Sequence, residues 1–231
     1  MRILGLVPAR GGSKGVARKN ARLIAGKPLL AWTADAARSA TRLDGVILST
    51  DDEELAEIGR ECGLEVPFIR PAALATDTTP MIDVVLHSID WADDDGRAFD
   101  ALCLLQPTNP LRTAHDIDQA VELFERDDAD TVFSVLAVPN DHHPDWVYLK
   151  SPDGSLRLSN GDREPVARRQ DLPPAYHREG SIYLTRADVL RSRASLYGEK
   201  VRGFPIDADR SVNIDTPDDW VRAETLLEMM S

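Results

Sequence analysis

Cysteine is scarce in this chain: Cys62 and Cys103 are the only two among 231 residues. They do not make a disulfide framework. No apolar run approaches the length of a membrane span. The opening apolar stretch has only strand length and runs into Pro8, which does not fit the apolar region of a secretory leader. Neither an H-E-x-x-H pair nor a Ser-His-Asp spacing occurs. Positive charge is also in deficit, with 27 Lys and Arg against 39 Asp and Glu, a formal net charge of −12. Nucleic-acid binding needs a basic face for phosphates, so general binding of that kind is not expected. A soluble enzyme of the reducing cytoplasm, with no membrane partner, is the expectation.

One absence is local. No Asp or Glu precedes Asp35, while Arg2, Arg10, Lys14, Arg18, Lys19, Arg22 and Lys27 do. At the average acid content of the chain, roughly six acids belong there. Inside that segment lies Pro8-Ala9-Arg10-Gly11-Gly12-Ser13-Lys14-Gly15. Ile3 to Val7 before it reads as a buried strand, and Pro8 has no backbone donor to continue a ladder. The glycines leave successive N–H groups bare, a concavity suited to anions, and Arg10 and Lys14 add full charges. A strand, a basic glycine turn and a following helix make a phosphate site. The usual phosphate loop is not present, because Ser13 precedes Lys14 instead of following it, and no G-x-G-x-x-G occurs. ATPase and dehydrogenase readings lose their support.

Further along, helices are expected near Leu29–Ala40, Glu53–Cys62, Pro80–Trp91, Ala114–Glu125 and Asp218–Met230. Strands are expected at Gly45–Thr50, Val66–Ile69, Phe99–Leu105, Thr131–Val138, Gly180–Leu184 and Val201–Ile206. Asp51-Asp52 reads as a helix start, and Asp93-Asp94-Asp95-Gly96 as a solvated turn. Alternating β and α elements imply a three-layer α/β fold with a mostly parallel twisted sheet. The alternation breaks from Pro139 to Arg178, an excursion that serves as a lid or a dimerisation arm within one domain of residues 1–231. His142-His143 reads as surface loop. Ser211 to Asp215 is extended, so Asn213 and Asp215 share a face.

Functional candidates gather beyond strand ends, where open α/β sheets bind ligands. They are Arg10, Ser13 and Lys14, the polar loop of Gln106, Thr108, Asn109 and Arg112, the basic Arg169, and the late carboxylate Asp215. A triphosphate with a hard cation fits them. Mg²⁺ takes few protein oxygens and keeps phosphates and water, so Asp215 and the Asn213 carbonyl suffice. Asp215-Thr216-Pro217 is equally a plain helix start.

Taken together, the stretches resemble one family. They are the glycine turn with Lys19-Asn20, Ser49-Thr50-Asp51-Asp52, Arg70-Pro71 with Leu74-Ala75-Thr76-Asp77, and Gln106-Pro107-Thr108-Asn109-Pro110-Leu111-Arg112. Arg169-Gln170-Asp171, Gly180-Ser181-Ile182-Tyr183 and Ile214-Asp215-Thr216 complete the set. In this order they resemble the acylneuraminate cytidylyltransferases, or CMP-sialic acid synthetases, across nearly the whole chain. The resemblance implies a Rossmann-like nucleotidyltransferase fold, a homodimer built on the 139–178 excursion, and a Mg²⁺-dependent reaction. In it, CTP and a nonulosonic sugar acid give the CMP-sugar and pyrophosphate. It further implies that Arg10, Gly11, Ser13 and Lys14 hold the phosphates and that Asn20 and Arg70 bind the cytidine part. Gln106, Arg169, Glu179 and Tyr183 would face the acceptor, and Asp215 with Asn213 would hold the metal. Arg10, Lys14 and Asp215 are the expected catalytic groups.

Two positions depart from the family pattern: Asn213 stands where an Asp is common, and Glu179 where an Asn is common. The acceptor is therefore open among sialic, legionaminic, pseudaminic and deaminated acids. An eight-carbon ulosonic acid, a small phosphonate acid and a non-catalytic nucleotide-binding role are the rivals. Replacing Lys14 by Ala removes a charge from the phosphates and should lower turnover by about 10²-fold or more. Single-turnover kinetics check this, and a near-normal rate would move the triphosphate elsewhere.

Overall fold

The computed structural model describes residues 1–12 and 15–230. The strands are β1 (Ile3–Pro8), β2 (Leu23–Ile24), β3 (Lys27–Pro28), β4 (Gly45–Ser49), β5 (Ala101–Leu105), β6 (Thr131–Ala137), β7 (Tyr148–Lys150), β8 (Leu156–Leu158), β9 (Tyr176–Arg186) and β10 (Val201–Pro205). The helices are α1 (Leu29–Ser39), α2 (Glu53–Glu61), α3 (Met81–Asp94), α4 (Ala114–Arg126), α5 (Ala187–Arg193) and α6 (Pro217–Met230).

Six strands form the main sheet, in the order β10-β6-β9-β5-β1-β4. β1 is parallel to both β4 and β5, with Leu6 opposite Ile47 on one side and Leu104 on the other. β10 runs parallel to β6. β9 alone is antiparallel, to β5 and to β6. It arrives from the excursion with no crossover helix, and a right-handed crossover is what a parallel entry needs. Its pairing with β6 shifts register between Phe133 and Val135. Ser134 sits at that bulge, and its hydroxyl accepts the N–H groups of Ser181 and Ile182, each at 3.1 Å.

Side-chain alternation divides the core into two layers. Ile3, Val7, Cys103, Leu105, Ile182 and Leu184 pack under α1, α2 and α4. Leu4, Leu6, Leu102, Leu104 and Tyr183 pack against α3 and α5 on the opposite face. A third cluster joins Val16, Ile24, Leu111, Val212 and Ile214 to Trp220 and Leu227 of α6. Thus the last helix clamps the basic N-terminal segment from behind.

Several expectations need correction. Val66–Ile69 is not a strand; the chain there makes only isolated bridges, Ile47 to Glu65 and Thr50 to Ile69. Pro67 between them has no donor for a ladder. α3 extends through Asp93 and Asp94, and the acidic turn reduces to its end at Asp95 and Gly96, which has φ +72°. α5 carries no strong sequence signal at seven residues. His143 is buried, not a surface residue: its Nε2 lies 2.9 Å from the Pro173 carbonyl and its Nδ1 accepts the Asp145 N–H. In the excursion, β7 and β8 make an antiparallel hairpin that leaves Tyr148, Leu149 and Leu156 exposed.

Phe124 of α4 is fully buried beneath the sheet. Phe124→Ala should cost about 3–5 kcal/mol, since it opens a cavity that the surrounding strands cannot close. Urea unfolding monitored by circular dichroism measures it.

Candidate active site

The site opens where β1, β4 and β5 end together. Chain direction makes this the switch point, because α1 carries the chain from β1 to β4 while β5 lies on the other side of β1. A cleft of about 310 Å³ lies there, lined by Arg10, Gly15, Lys19, Asn20, Arg70, Met81, Gln106, Thr108 and Asp215, with Pro8 and Pro107. Residues from the beginning, middle and end of the chain thus share one wall.

The glycine turn is held from several sides. Ala9 N–H donates to the Ser49 carbonyl at 3.0 Å, continuing the strand pairing by one residue. Gly11 N–H donates to Asp51 Oδ1 at 3.1 Å. The buried Asn20 donates from Nδ2 to the Arg10 carbonyl at 3.3 Å, and its own carbonyl receives the Leu30 N–H at the start of α1. Arg18, at φ +52°, reaches Asp52 at 2.7 Å and also Glu54, tying the turn to the first residues of α2. Asp51 and Asp52 therefore divide their work. Asp52 caps α2 through the Leu55 N–H at 3.0 Å, as the sequence implies, and Asp51 turns to the glycine loop.

The cleft is strongly cationic. Arg70 is 4% exposed, and its Nε and Nη2 hydrogens have no hydrogen-bond acceptor. The nearest carboxylate, Asp51, stands 3.8 Å from Nη2. Burial first, and Arg10 second, pull the Arg70 guanidinium below its ordinary value, while Asp51 pulls the other way. Arg10 pairs with Asp77 at 2.7 Å. Lys19 donates to the Ile214 carbonyl at 2.6 Å and lies 3.4 Å from Asp215. A buried cation with free donors beside two further cations wants a multiply charged anion.

At the opposite wall, Gln106 follows β5 and its N–H reaches the Ser181 carbonyl at 3.3 Å. Arg112 lies underneath, buried, donating to the carbonyls of Gln106 at 3.0 Å and Ser181 at 2.8 Å. Burial pushes its guanidinium down to about 10. Asp215 is 62% exposed at the cleft's rim, and its Oδ2 accepts from Asn213 Nδ2 at 2.6 Å. The two side chains share a face, as the extended segment implies. Thr216 and Asp219 then cap α6 reciprocally.

The expected residues do not all converge. Arg10, Asn20, Arg70, Gln106 and Asp215 line the cleft, with Gly11 and Asn213 beside it. Ser13 and Lys14 lie outside the described residues. Arg169, expected at the acceptor, sits on the exposed turn Arg169–Asp171 of the excursion. With the Asn140 amide oxygen facing it, its Nη2 lies 2.7 Å away. Tyr183 is buried on the α3 face of β9, stacked on Phe133 and near Tyr197, and burial raises its hydroxyl to about 12. It stands behind a second cavity of about 410 Å³ lined by Phe133, Val135, Tyr176, Arg178 and Tyr197. Glu179 directs both carboxylate oxygens onto protein donors, because Asn109, Ser181 and Ser211 surround it. Sequence reading gave no site role to Lys19, Asp51, Asp77 or Met81, while Thr108 was among its polar-loop candidates. Lys19, Asp51 and Asp77 lie in the stretches that carry the family resemblance; Met81 does not.

Among the described residues, no group of three or more His, Cys, Asp or Glu is placed to hold a metal. Nor is any helix among them long and apolar enough to cross a membrane.

Comparison with known proteins bears on this cleft. The family model described as Cytidylyltransferase matches residues 4–230. The chain is 36% identical to a CMP-N,N'-diacetyllegionaminic acid synthase of Legionella pneumophila, over 99% of this chain and 97% of that protein. It is 31% identical to an N-acylneuraminate cytidylyltransferase of Streptococcus agalactiae, over 96% of this chain and 52% of that longer protein. A solved CMP:2-keto-3-deoxy-manno-octonic acid synthetase, complexed with CTP, superposes over 100% of both chains with a TM-score of 0.75 at 18% identity. That likeness is one of fold.

Gly15 tests the junction between turn and rim, since a Cβ there would meet the Asp215 carbonyl oxygen at 1.9 Å. Gly15→Ala must push the two segments apart. Nucleotide affinity by calorimetry should fall about tenfold or more, and the melting temperature should fall as well, because the clash is with backbone.

Proposed function

The chain belongs to the cytidylyltransferase family, and from that premise we propose that it activates a nonulosonic sugar acid with CTP, giving the CMP-sugar and pyrophosphate. A nine-carbon acid carrying two acylamino groups, of the legionaminic type, is the favoured acceptor. The Legionella relative matches end to end at 36% identity, and the second cavity is lined by Phe133, Val135, Tyr176, Tyr197, Gly203 and Pro205 with His177 and Arg178, a mainly apolar and aromatic lining suited to acyl groups. The observation that carries the reading is Arg70: a buried guanidinium with unpaired donors, opening on the same cleft as Arg10 and Lys19. Such an arrangement is costly while unpaired, and an anion entering the cleft would offset that cost.

The chemistry follows from charge and position. The acceptor's anomeric hydroxyl attacks the α-phosphorus of CTP in line, and pyrophosphate leaves from the opposite side. Catalysis of this kind is mostly alignment and charge neutralisation. Arg10, Lys14 and Arg70 neutralise the triphosphate, and displacement of Asp77 by phosphate frees Arg10 for it. Gly11 and Ser13 offer donors from the turn. Asn20 holds the turn's shape and meets the nucleoside. Gln106 fixes the acceptor at the end of β5, and Arg169 and Tyr183 act from the excursion and from beneath the second cavity.

The rim could hold Mg²⁺ through the exposed Asp215 carboxylate. Asn213 donates from Nδ2 to Asp215 Oδ2 at 2.6 Å, so its amide carbonyl would reach the ion only if the side chain turned. When bound, the ion neutralises phosphate charge and makes pyrophosphate a better leaving group. The exposed hairpin of β7 and β8 provides apolar surface for a homodimer. The absence of a spanning helix among the described residues is compatible with work in the cytoplasm.

Pyrophosphate release with Mg²⁺ and each of CTP, ATP, GTP and UTP, across legionaminic, pseudaminic, sialic and eight-carbon acids and a phosphonate, tests the proposal. Turnover should require CTP and favour a diacylamino nine-carbon acid. Turnover with only an eight-carbon or phosphonate acceptor would replace the acceptor assignment. Tight CTP binding with no release across the panel would mark a non-catalytic binder.

A further inference from the structure

Glu179 lies between the two walls of the cleft without lining it. One carboxylate oxygen accepts from Asn109 Nδ2 and, at 3.1 Å, from Ser211 Oγ. The other accepts from the Ser181 N–H at 2.9 Å and the Ser181 hydroxyl at 2.6 Å. These donors belong to three separate segments: the loop after β5, β9 itself, and the extended stretch leading to Asn213 and Asp215. Both functional ends are close by. Asn109 belongs to the loop that carries Gln106 and Thr108 into the cleft, and Ser211 starts the stretch that carries Asp215.

Electrostatics point the same way. Burial opposes ionisation of Glu179, yet hydrogen bonds from Ser134, Ser181 and Asn109 outweigh it and hold the carboxyl below its ordinary value. The buried Arg112 feels that charge, and it donates to the carbonyls of Gln106 and Ser181. The two walls are also joined by apolar packing of Leu111 with Val212 and Ile214 and by two polar ties. Ile214 N–H reaches the Thr108 carbonyl at 2.9 Å, and Arg210 clamps Asp116 with two bonds of 3.0 Å. An anion that accepts from all three segments sets their spacing, because each donor loses its acceptor if a segment moves.

We propose that Glu179 is a positioning residue: it fixes the Gln106–Thr108 wall against the Asp215 wall and does not touch the acceptor. Its kinetic consequence rests on the cytidylyltransfer reading above; its structural consequence does not. Neutral glutamine of the same shape is the sharpest probe, since its amide nitrogen cannot accept and must face a donor.

The experiment compares wild type and Glu179→Gln by amide hydrogen exchange, by CTP calorimetry without acceptor, and by steady-state kinetics. Exchange at Leu111 and Ile214 should be faster by about tenfold, with the amides of β1 and β5 unchanged. Turnover should fall about 10–100-fold, with CTP affinity changed by less than about threefold, as expected when reacting groups are misaligned but the nucleotide still binds. Ser211→Ala, which removes one donor and leaves the carboxylate, should speed exchange at 212–214 alone; that variant decides if Glu179→Gln does not fold. Unchanged local exchange overturns the proposal, and so does uniform acceleration that includes β1. A raised acceptor KM with unchanged turnover and exchange also overturns it, in favour of direct contact. Faster local exchange in a protein whose wild type releases no pyrophosphate would uphold the positioning and sink the cytidylyltransfer reading.

Discussion

Arg70 and Arg112 carry full charges into the protein at the carboxyl end of the sheet, and each keeps Nε and Nη2 hydrogens without an acceptor. A charge taken out of water costs several kcal/mol unless partners replace its hydration. Much of the local architecture serves that demand. Carbonyls of Gln106 and Ser181 converge on Arg112, Glu179 adds a compensating charge, and Asp51 stands off Arg70. The pattern differs between the two. Arg112 is enclosed and structural, whereas Arg70 opens on the cleft. At Arg70 the Nε and Nη2 hydrogens stay without an acceptor at the edge of that cleft.

The same economy explains why carboxylates crowd a cleft lined by cations. Asp51 accepts from the glycine turn, Asp77 holds Arg10, and Asp52 with Glu54 anchors Arg18. Seven Lys and Arg with no acid in the first thirty-four residues would repel one another in an unliganded turn. The acids that balance them come from later segments, so the turn is held by long-range contacts. The acidic chain and the basic segment are parts of one electrostatic arrangement.

Legibility varied with the range of the cause. Helices with an apolar stripe and a clear cap were readable to within a few residues, as with α2 behind Asp52 and α6 behind Thr216. The parallel order followed from alternation. Val66–Ile69 failed as a strand because Pro67 denies it a ladder at the sheet's edge, and His143 failed as a surface residue because a carbonyl thirty residues away receives it. α5 was missed because seven residues carry too little periodic pattern. Within the site, Arg10, Asn20, Arg70, Gln106 and Asp215 were legible through motifs whose spacing is local. Met81 was not, since nothing in its neighbourhood says which strand end it will face, and Asp77 was legible only as part of a matched stretch, not as the partner of Arg10.

The sequence by itself determined most of the elements and the family, because periodicity acts over a few residues and the matched stretches run through the chain as a whole. Tertiary structure decided the direction of β9, the enclosure of Arg112 and the burial of Tyr183. It also surrounded Glu179: the carboxylate that the family resemblance places at the acceptor accepts hydrogen bonds from Asn109, Ser181 and Ser211. Those donors are separated by up to a hundred residues in the chain, and only the folded sheet brings them within hydrogen-bonding distance of one group.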